Sequence, residues 1–349
     1  MDDRGGCGAR VNRSAVGALR ESRGRSDRRA VRGDRHHRRG VLMTATLPLG
    51  VETLAHELVG APGAPVILAL GGISADRHVV SHPGDPTPGW WQGLAGPGRA
   101  FDLALRRVLG VTLRDGGCGP DGRPARIVTT HDQAASIVAL LDELEIARLD
   151  TVIGASYGGM VALALAERWP ERVGRLVVIS AAHETNPMAT ALRVAQRQIV
   201  ELGLATGRAT ESMAIARGVA MTTYRTAREF AERFDPAPAH LTTQAAEFEV
   251  ERYIRRAGER FAERMPPARF LALSLSADLH RVVPERIAVR TTVIAAQGDT
   301  LVPPSQSRAL ARRLPRLDTF TILRTRFGHD AFLTEPARLG RVLATALAD

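Results

Sequence analysis

The chain has 349 residues, of which 44% are hydrophobic, 24% charged and only 4% aromatic, with a net charge of +10. That length supports one large α/β domain with an insertion, or two ordinary domains, and its core needs neither a disulfide framework nor a cysteine-built zinc site. No apolar run reaches the ~18 residues of a membrane-spanning helix, and the composition excludes collagen, coiled coil and wholesale disorder.

The charge is unevenly spread. There is no lysine, and residues 1–42 carry 12 arginines against 5 acids, so the rest of the chain is close to neutral. This tail lacks the apolar periodicity needed to offset its own ordering. It reads as a nucleic-acid-binding arm, as a targeting segment, or as translated sequence upstream of a working start at Met43. The third reading is preferred, because the regular pattern begins just after Met43. Nucleic-acid binding is not expected. The two cysteines, Cys7 and Cys118, fit a reducing compartment, the cytoplasm.

Beyond the tail, Val66–Leu70 is an apolar run ending in Gly71-Gly72, which predicts a buried parallel strand running into a tight loop. Residues 81–99, rich in Pro, Gly and Trp, predict an irregular loop, and Arg107–Leu113 a second strand. Thr130-His-Asp-Gln133 matches a capping box, with Ile137, Val138, Leu141 and Leu144 following at helical spacing. Thr151–Gly154 predicts a strand, residues from Tyr157 to just before Pro170 a helix, and Leu176–Ile179 the next strand. Alternation of this kind gives βαβ crossovers and a mostly parallel sheet with helices on both faces.

From His183 to Arg286 the periodicity turns helical, with helices predicted over Ala191–Leu202, Ser212–Tyr224 and Phe248–Phe261. Alternation resumes with a strand at Thr291–Ala296, a helix near Ser305–Leu314, a strand at Phe320–Leu323 and a last helix. The expected organisation is a disordered extension over 1–42, a core in two parts over 43–182 and 289–349, and a helical lid over 183–288.

Gly154-Ala-Ser156-Tyr-Gly158 matches G-x-S-x-G between a strand and a helix, the context of a nucleophile elbow. A serine there needs a base and the base an orienting acid, in the order Ser, acid, His. His329, between the final strand and the last helix, is the expected base. Asp299, just past the strand ending at Ala296, is the expected acid, with Asp278 in the helical block as its competitor. The backbone N–H of Tyr157, and one from the loop Gly71-Gly72-Ile73-Ser74, with Ile73 the candidate, are expected to receive the oxyanion.

The set Gly71–Ala75, Gly96–Ala100, Gly154–Met160, Arg197-Gln198, Tyr224–Thr226, Glu232–Asp235, Asp278–Arg281, Gly298–Pro303 and Gly328–Leu333 resembles the homoserine O-acyltransferase family of the α/β-hydrolase superfamily, over about Val66 to Leu333. Within that family it is most similar to the shorter homoserine O-succinyltransferases of methionine biosynthesis. It lacks the Gly-Asp-Tyr-Tyr-type segment of longer acetyltransferases, where Gly203–Arg208 stands instead.

The resemblance implies an α/β-hydrolase fold with a helical lid. It implies no bound cofactor or metal, an acyl-CoA co-substrate (succinyl-CoA ahead of acetyl-CoA), L-homoserine as acceptor, and no membrane partner. A homodimer is compatible with it. It further implies that Arg197 clamps the homoserine carboxylate and Asp330 its ammonium, with Arg77 or Arg225 facing the free carboxylate of a succinyl donor. The alternatives are O-acetylation of homoserine or serine, a simple serine esterase or thioesterase, and a hydrolase-fold binding protein using the arginine-rich arm.

Overall fold

A computed structural model describes residues 54–348, so the expectations for the arginine-rich extension and for Cys7 lie outside the described residues. Cys118 is exposed and free.

Seven strands form one sheet: β1 (His56–Gly60), β2 (Val66–Leu70), β3 (Arg107–Val111), β4 (Leu149–Ala155), β5 (Val173–Ile179), β8 (Arg290–Ala296) and β9 (Leu317–Leu323). Their order is β1-β3-β2-β4-β5-β8-β9. Only β1 runs antiparallel, against β3. The parallel centre is buried on both faces, which is why β2 and β4 read as nearly unbroken apolar runs.

One face carries Leu68, Leu70, Val152, Val178 and Val293. These pack under α1 (Thr130–Glu143), through Ile137 and Leu141, and α2 (Tyr157–Arg168), through Val161 and Leu165. The other face carries Ile67, Ile153, Ile179 and Ile294 under Trp91, Phe101 and the terminal helix α10 (Pro336–Leu347). Trp91 Nε1 donates to the Phe332 carbonyl at 2.8 Å, tying the loop after β2 to the segment after β9.

Between β5 and β8 the chain builds the helices α3 (Pro187–Ala205), α4 (Ala209–Tyr224), α5 (Ala227–Arg233), α6 (Glu249–Ala262) and α7 (Pro267–Asp278), with a short hairpin of β6 (His240–Leu241) and β7 (Ala246–Glu247). This block has its own core of Val200, Met213, Phe261, Phe270 and Leu271. After β8 come α8 (Pro304–Arg313), β9 and the four-residue α9 (Ala331–Thr334). No described helix is long and apolar enough to cross a membrane.

The cap of α1 differs by one residue from the sequence expectation. Thr129, not Thr130, is the N-cap, and it forms the capping box with Asp132. The Thr130 hydroxyl is taken by His280 Nδ1 at 2.9 Å, and the Gln133 side chain bonds the Arg114 backbone. Tertiary partners thus decided between two adjacent threonines.

Candidate active site

Ser156 sits where β4 turns into α2, at φ 54° and ψ −123°. A non-glycine residue in that region costs roughly 1–3 kcal/mol and persists only where its surroundings enforce it. The two flanking glycines supply that enforcement. A Cβ on Gly154 would lie 2.4 Å from the Gly158 carbonyl oxygen, and one on Gly158 would lie 2.4 Å from the Leu70 carbonyl carbon. Strand, turn and helix can therefore close only without side chains there. The Ser156 N–H donates to the Ile179 carbonyl at 2.9 Å, and Gly158 N–H to the Gly71 carbonyl at 2.8 Å, which ties the loop after β2 to the elbow.

His329 lies in a short 3-10 turn, Gly328–Asp330, after β9. Its Nε2 is 2.8 Å from Ser156 Oγ, and its Nδ1 is 2.7 Å from Asp299 Oδ2. A carboxylate only accepts, so Nδ1 carries the proton and Nε2 presents its lone pair to the serine. The other Asp299 oxygen accepts the N–H groups of Leu301 at 3.0 Å and Val302 at 2.9 Å, which fixes the carboxylate. Burial, the largest single influence, pulls the His329 imidazole down. The charge of Asp299, its hydrogen bond and the charge of Asp330 outweigh burial together, and the pKa stands above its ordinary value.

Such a set can pass the serine proton to the imidazole and back while an acyl group rests on Oγ. Asp278, the competing acid, is instead the partner of two arginines of α3.

A cavity of about 150 Å³ opens over Ser156 and His329. Ile73, Tyr157 and Asp330 line it, whereas Asp299 stands behind His329. Tyr157 is the first residue of α2, where helical N–H groups have no intrahelical acceptor. Its phenol is buried, 2.7 Å from Ser276 Oγ, and burial pushes its pKa up to about 12.

Arg197 is not among the lining residues; its Nη1 donates to Asp278 Oδ2 at 2.6 Å and to Ser274 Oγ at 2.9 Å. Arg193, one turn earlier on α3, does line the cavity and donates through Nε to Asp278 Oδ1 at 2.8 Å. Asp330 accepts from Arg225 Nε at 2.9 Å and makes no capping bond to α9. Arg77 pairs with Glu57 at 3.3 Å, outside the cavity.

Sequence reasoning missed Arg193, Arg217 and Tyr224 as parts of the wall. Arg193 had a findable signal, since positions four apart on a helix share a face.

Glu57, His78 and His82 are the one group among the described residues that could hold a metal, with ligand atoms within 4.8 Å of one another. Hydrogen bonding accounts for them without an ion. His78 Nε2 donates to the Thr87 carbonyl at 2.8 Å while Nδ1 meets Glu57 at 2.9 Å, so this ring is satisfied as an imidazolium. The bond to Thr87 and the Glu57 contacts raise its pKa against burial. His82 Nδ1 accepts from Gly84 N–H at 3.2 Å, which leaves the proton on Nε2, the atom facing Glu57.

The parallel sheet and the elbow serine with its histidine and aspartate define an enzyme of the α/β-hydrolase fold. A family model of that description, alpha/beta hydrolase fold, matches residues 106–336. The chain is 44% identical to the homoserine O-succinyltransferase of Xanthomonas campestris pv. campestris, over 84% of this chain and 78% of that protein. It is 33% identical to an L-serine/homoserine O-acetyltransferase of Streptomyces lavendulae, over 84% of this chain and 91% of that protein. The crystal structure of a homoserine O-acetyltransferase from Bacillus anthracis superposes with a TM-score of 0.75 at 18% identity, covering 85% of this chain and 92% of that one, a likeness of fold. The chain belongs to the homoserine O-acyltransferase family within the α/β hydrolases, and is an acyltransferase.

Proposed function

We propose that this enzyme moves a succinyl group from succinyl-CoA to the hydroxyl of L-homoserine through an ester on Ser156, a cytoplasmic step of methionine biosynthesis. The observation that carries the reading is the 2.8 Å approach of His329 Nε2 to Ser156 Oγ, in a cavity that Arg193 of α3 and Arg217 and Tyr224 of α4 help to line.

In the first half-reaction His329 takes the Ser156 proton and Oγ attacks the thioester carbonyl. The N–H groups of Tyr157 and Ile73 receive the oxyanion. The C–S bond breaks, and CoA leaves as a thiol with the proton from His329. In the second half, homoserine docks with its ammonium toward Asp330 and its carboxylate toward the Arg193–Arg197 edge of α3. His329 removes the hydroxyl proton, the new C–O bond forms, the bond to Ser156 breaks, and the serine regains its proton. Water competes at this stage. Holding the acceptor at effective molarities of ~10⁵–10⁸ M under a lid that excludes solvent favours transfer over hydrolysis.

The relative acting on homoserine with a succinyl donor supports the choice of donor, and the serine/homoserine acetyltransferase supplies the competing reading. The test mixes succinyl-CoA or acetyl-CoA with homoserine or serine and follows CoA release and product mass. The expected outcome is release that depends on homoserine, fastest with succinyl-CoA, and lost in Ser156→Ala. Equal release with and without any acceptor would mark a thioesterase instead.

A further inference from the structure

The charged side chains around the cavity are already paired, with one exception. Arg193 and Arg197 hold Asp278, and Arg225 holds Asp330 and approaches Glu229 at 3.8 Å. Arg217, on α4, lines the cavity half-buried, and among the described residues no carboxylate pairs with it. Its guanidinium carbon lies 4.9 Å from the Tyr224 ring centre and 4.7 Å from that of Phe261. These aromatic contacts orient the cation but leave its charge uncompensated.

The Tyr224 ring in turn stacks on His329, with centres 5.9 Å apart and planes 27° apart. The free guanidinium is therefore one aromatic ring away from the imidazole that serves Ser156.

We propose that Arg217 is the receptor for the far carboxylate of a dicarboxylic acyl group, and so selects succinyl over acetyl donors. This rests on the acyl-transfer reading above and adds to it the residue that reads the acyl chain. An acetyl group ends in a methyl and leaves a half-buried cation without a counterion. A succinyl group ends in a carboxylate that the planar fork of arginine can take in a bidentate, charge-assisted pair. Homoserine would have other partners at the site, since Asp330, next to His329, and Arg193 also line the cavity. Arg77 and Arg225, the two candidates suggested by sequence for this task, are each paired with a carboxylate of the protein.

The experiment compares Arg217→Met, which keeps the apolar stem, and Arg217→Lys, which keeps a charge, with the unaltered enzyme. It reads kcat/KM for succinyl-CoA and acetyl-CoA at saturating homoserine, and acylation of Ser156 by each donor by intact mass without acceptor. The expected result is a fall of ~100-fold or more in the succinyl-to-acetyl ratio for Met, as losing a charged hydrogen-bonded pair implies, with Lys recovering part of it. Acylation by acetyl-CoA continues in Met and shows that the site is folded. An equal loss with both donors, or a rise in the homoserine KM alone, would overturn the proposal in favour of a contact to CoA or to the amino acid. Preference of the unaltered enzyme for acetyl-CoA would also overturn it while acyl transfer stood. Failure of the acyl-transfer reading shows differently, as CoA release indifferent to any acceptor, and the mass measurement still reports whether Arg217 discriminates between the two acyl groups on Ser156.

Discussion

Asp278 Oδ2 accepts a hydrogen bond from Arg197 Nη1 at 2.6 Å, while its Oδ1 takes Arg193 Nε at 2.8 Å. The carboxylate, buried to 7% side-chain exposure, thus locks the cavity edge of α3 against the end of α7. Breaking a buried pair by removing one partner leaves the other charge uncompensated, typically at about 3–5 kcal/mol. Asp278→Asn is expected to lower stability by about 3 kcal/mol in urea unfolding. The freed arginines then no longer present a fixed edge, so the homoserine KM rises about tenfold or more while burst acylation of Ser156 is retained. A loss of the burst equal to the loss of transfer would remove Asp278 from the acceptor side.

As the proposed base, His329 would act only when neutral, and its pKa stands above the ordinary imidazole value. The rising limb of kcat/KM therefore falls above pH ~6.5. Asp330 is one of the charges that raise it, so Asp330→Asn is expected to move that limb to lower pH. Hydrolysis of an activated ester, run without homoserine, reads the shift apart from any role in holding the acceptor. The linked effect on stability has the opposite sense. A raised folded pKa means the proton favours the native state, so this contribution is present below pH ~6.5 and is lost as pH rises through the folded value. Activity should climb where this part of the stability declines, and a limb unmoved in Asp330→Asn would contradict the electrostatic account.

His280 behaves in the reverse way. It is fully enclosed, with Nδ1 accepting from Thr130 Oγ1 at 2.9 Å and Nε2–H donating to the Ala182 carbonyl at 3.1 Å. Burial holds its pKa down to about 3. Stability from keeping it neutral is present above the unfolded value of ~6.5 and drains away as pH falls toward about 3, at about 1.4 kcal/mol per unit. His280→Gln keeps one donor and one acceptor but does not titrate. The unaltered protein should be the more stable at pH 8, and the gap to His280→Gln should shrink as pH falls below ~6.5 in denaturant melts. A gap independent of pH would show that folding leaves the His280 pKa where it stands in the unfolded chain, against the burial account.

Which parts of this molecule were legible in its sequence follows from the range of the forces involved. The elbow was readable because its rule is local: an apolar strand, a serine, and glycines at 154 and 158 where backbone approaches backbone. His329 and Asp299 followed from chain order on the sheet. The role of Asp278 was not readable, because its bond to Arg197 joins residues 81 apart through the packing of α3 on α7. Arg217 was hidden among 47 arginines, and what sets it apart is its place on the cavity wall without a paired carboxylate among the described residues. Strand β1, half-buried with Glu57 as its second residue, gave too mixed a pattern to be recognised.

The Ser156–His329 contact bridges 173 residues, and the histidine hangs from β9, a strand at the sheet's margin with a neighbour on one side only. The elbow alone thus holds an inert hydroxyl, and its chemistry depends on that marginal strand holding the histidine in place. Fraying at that margin would silence the enzyme well before the body of the fold gave way.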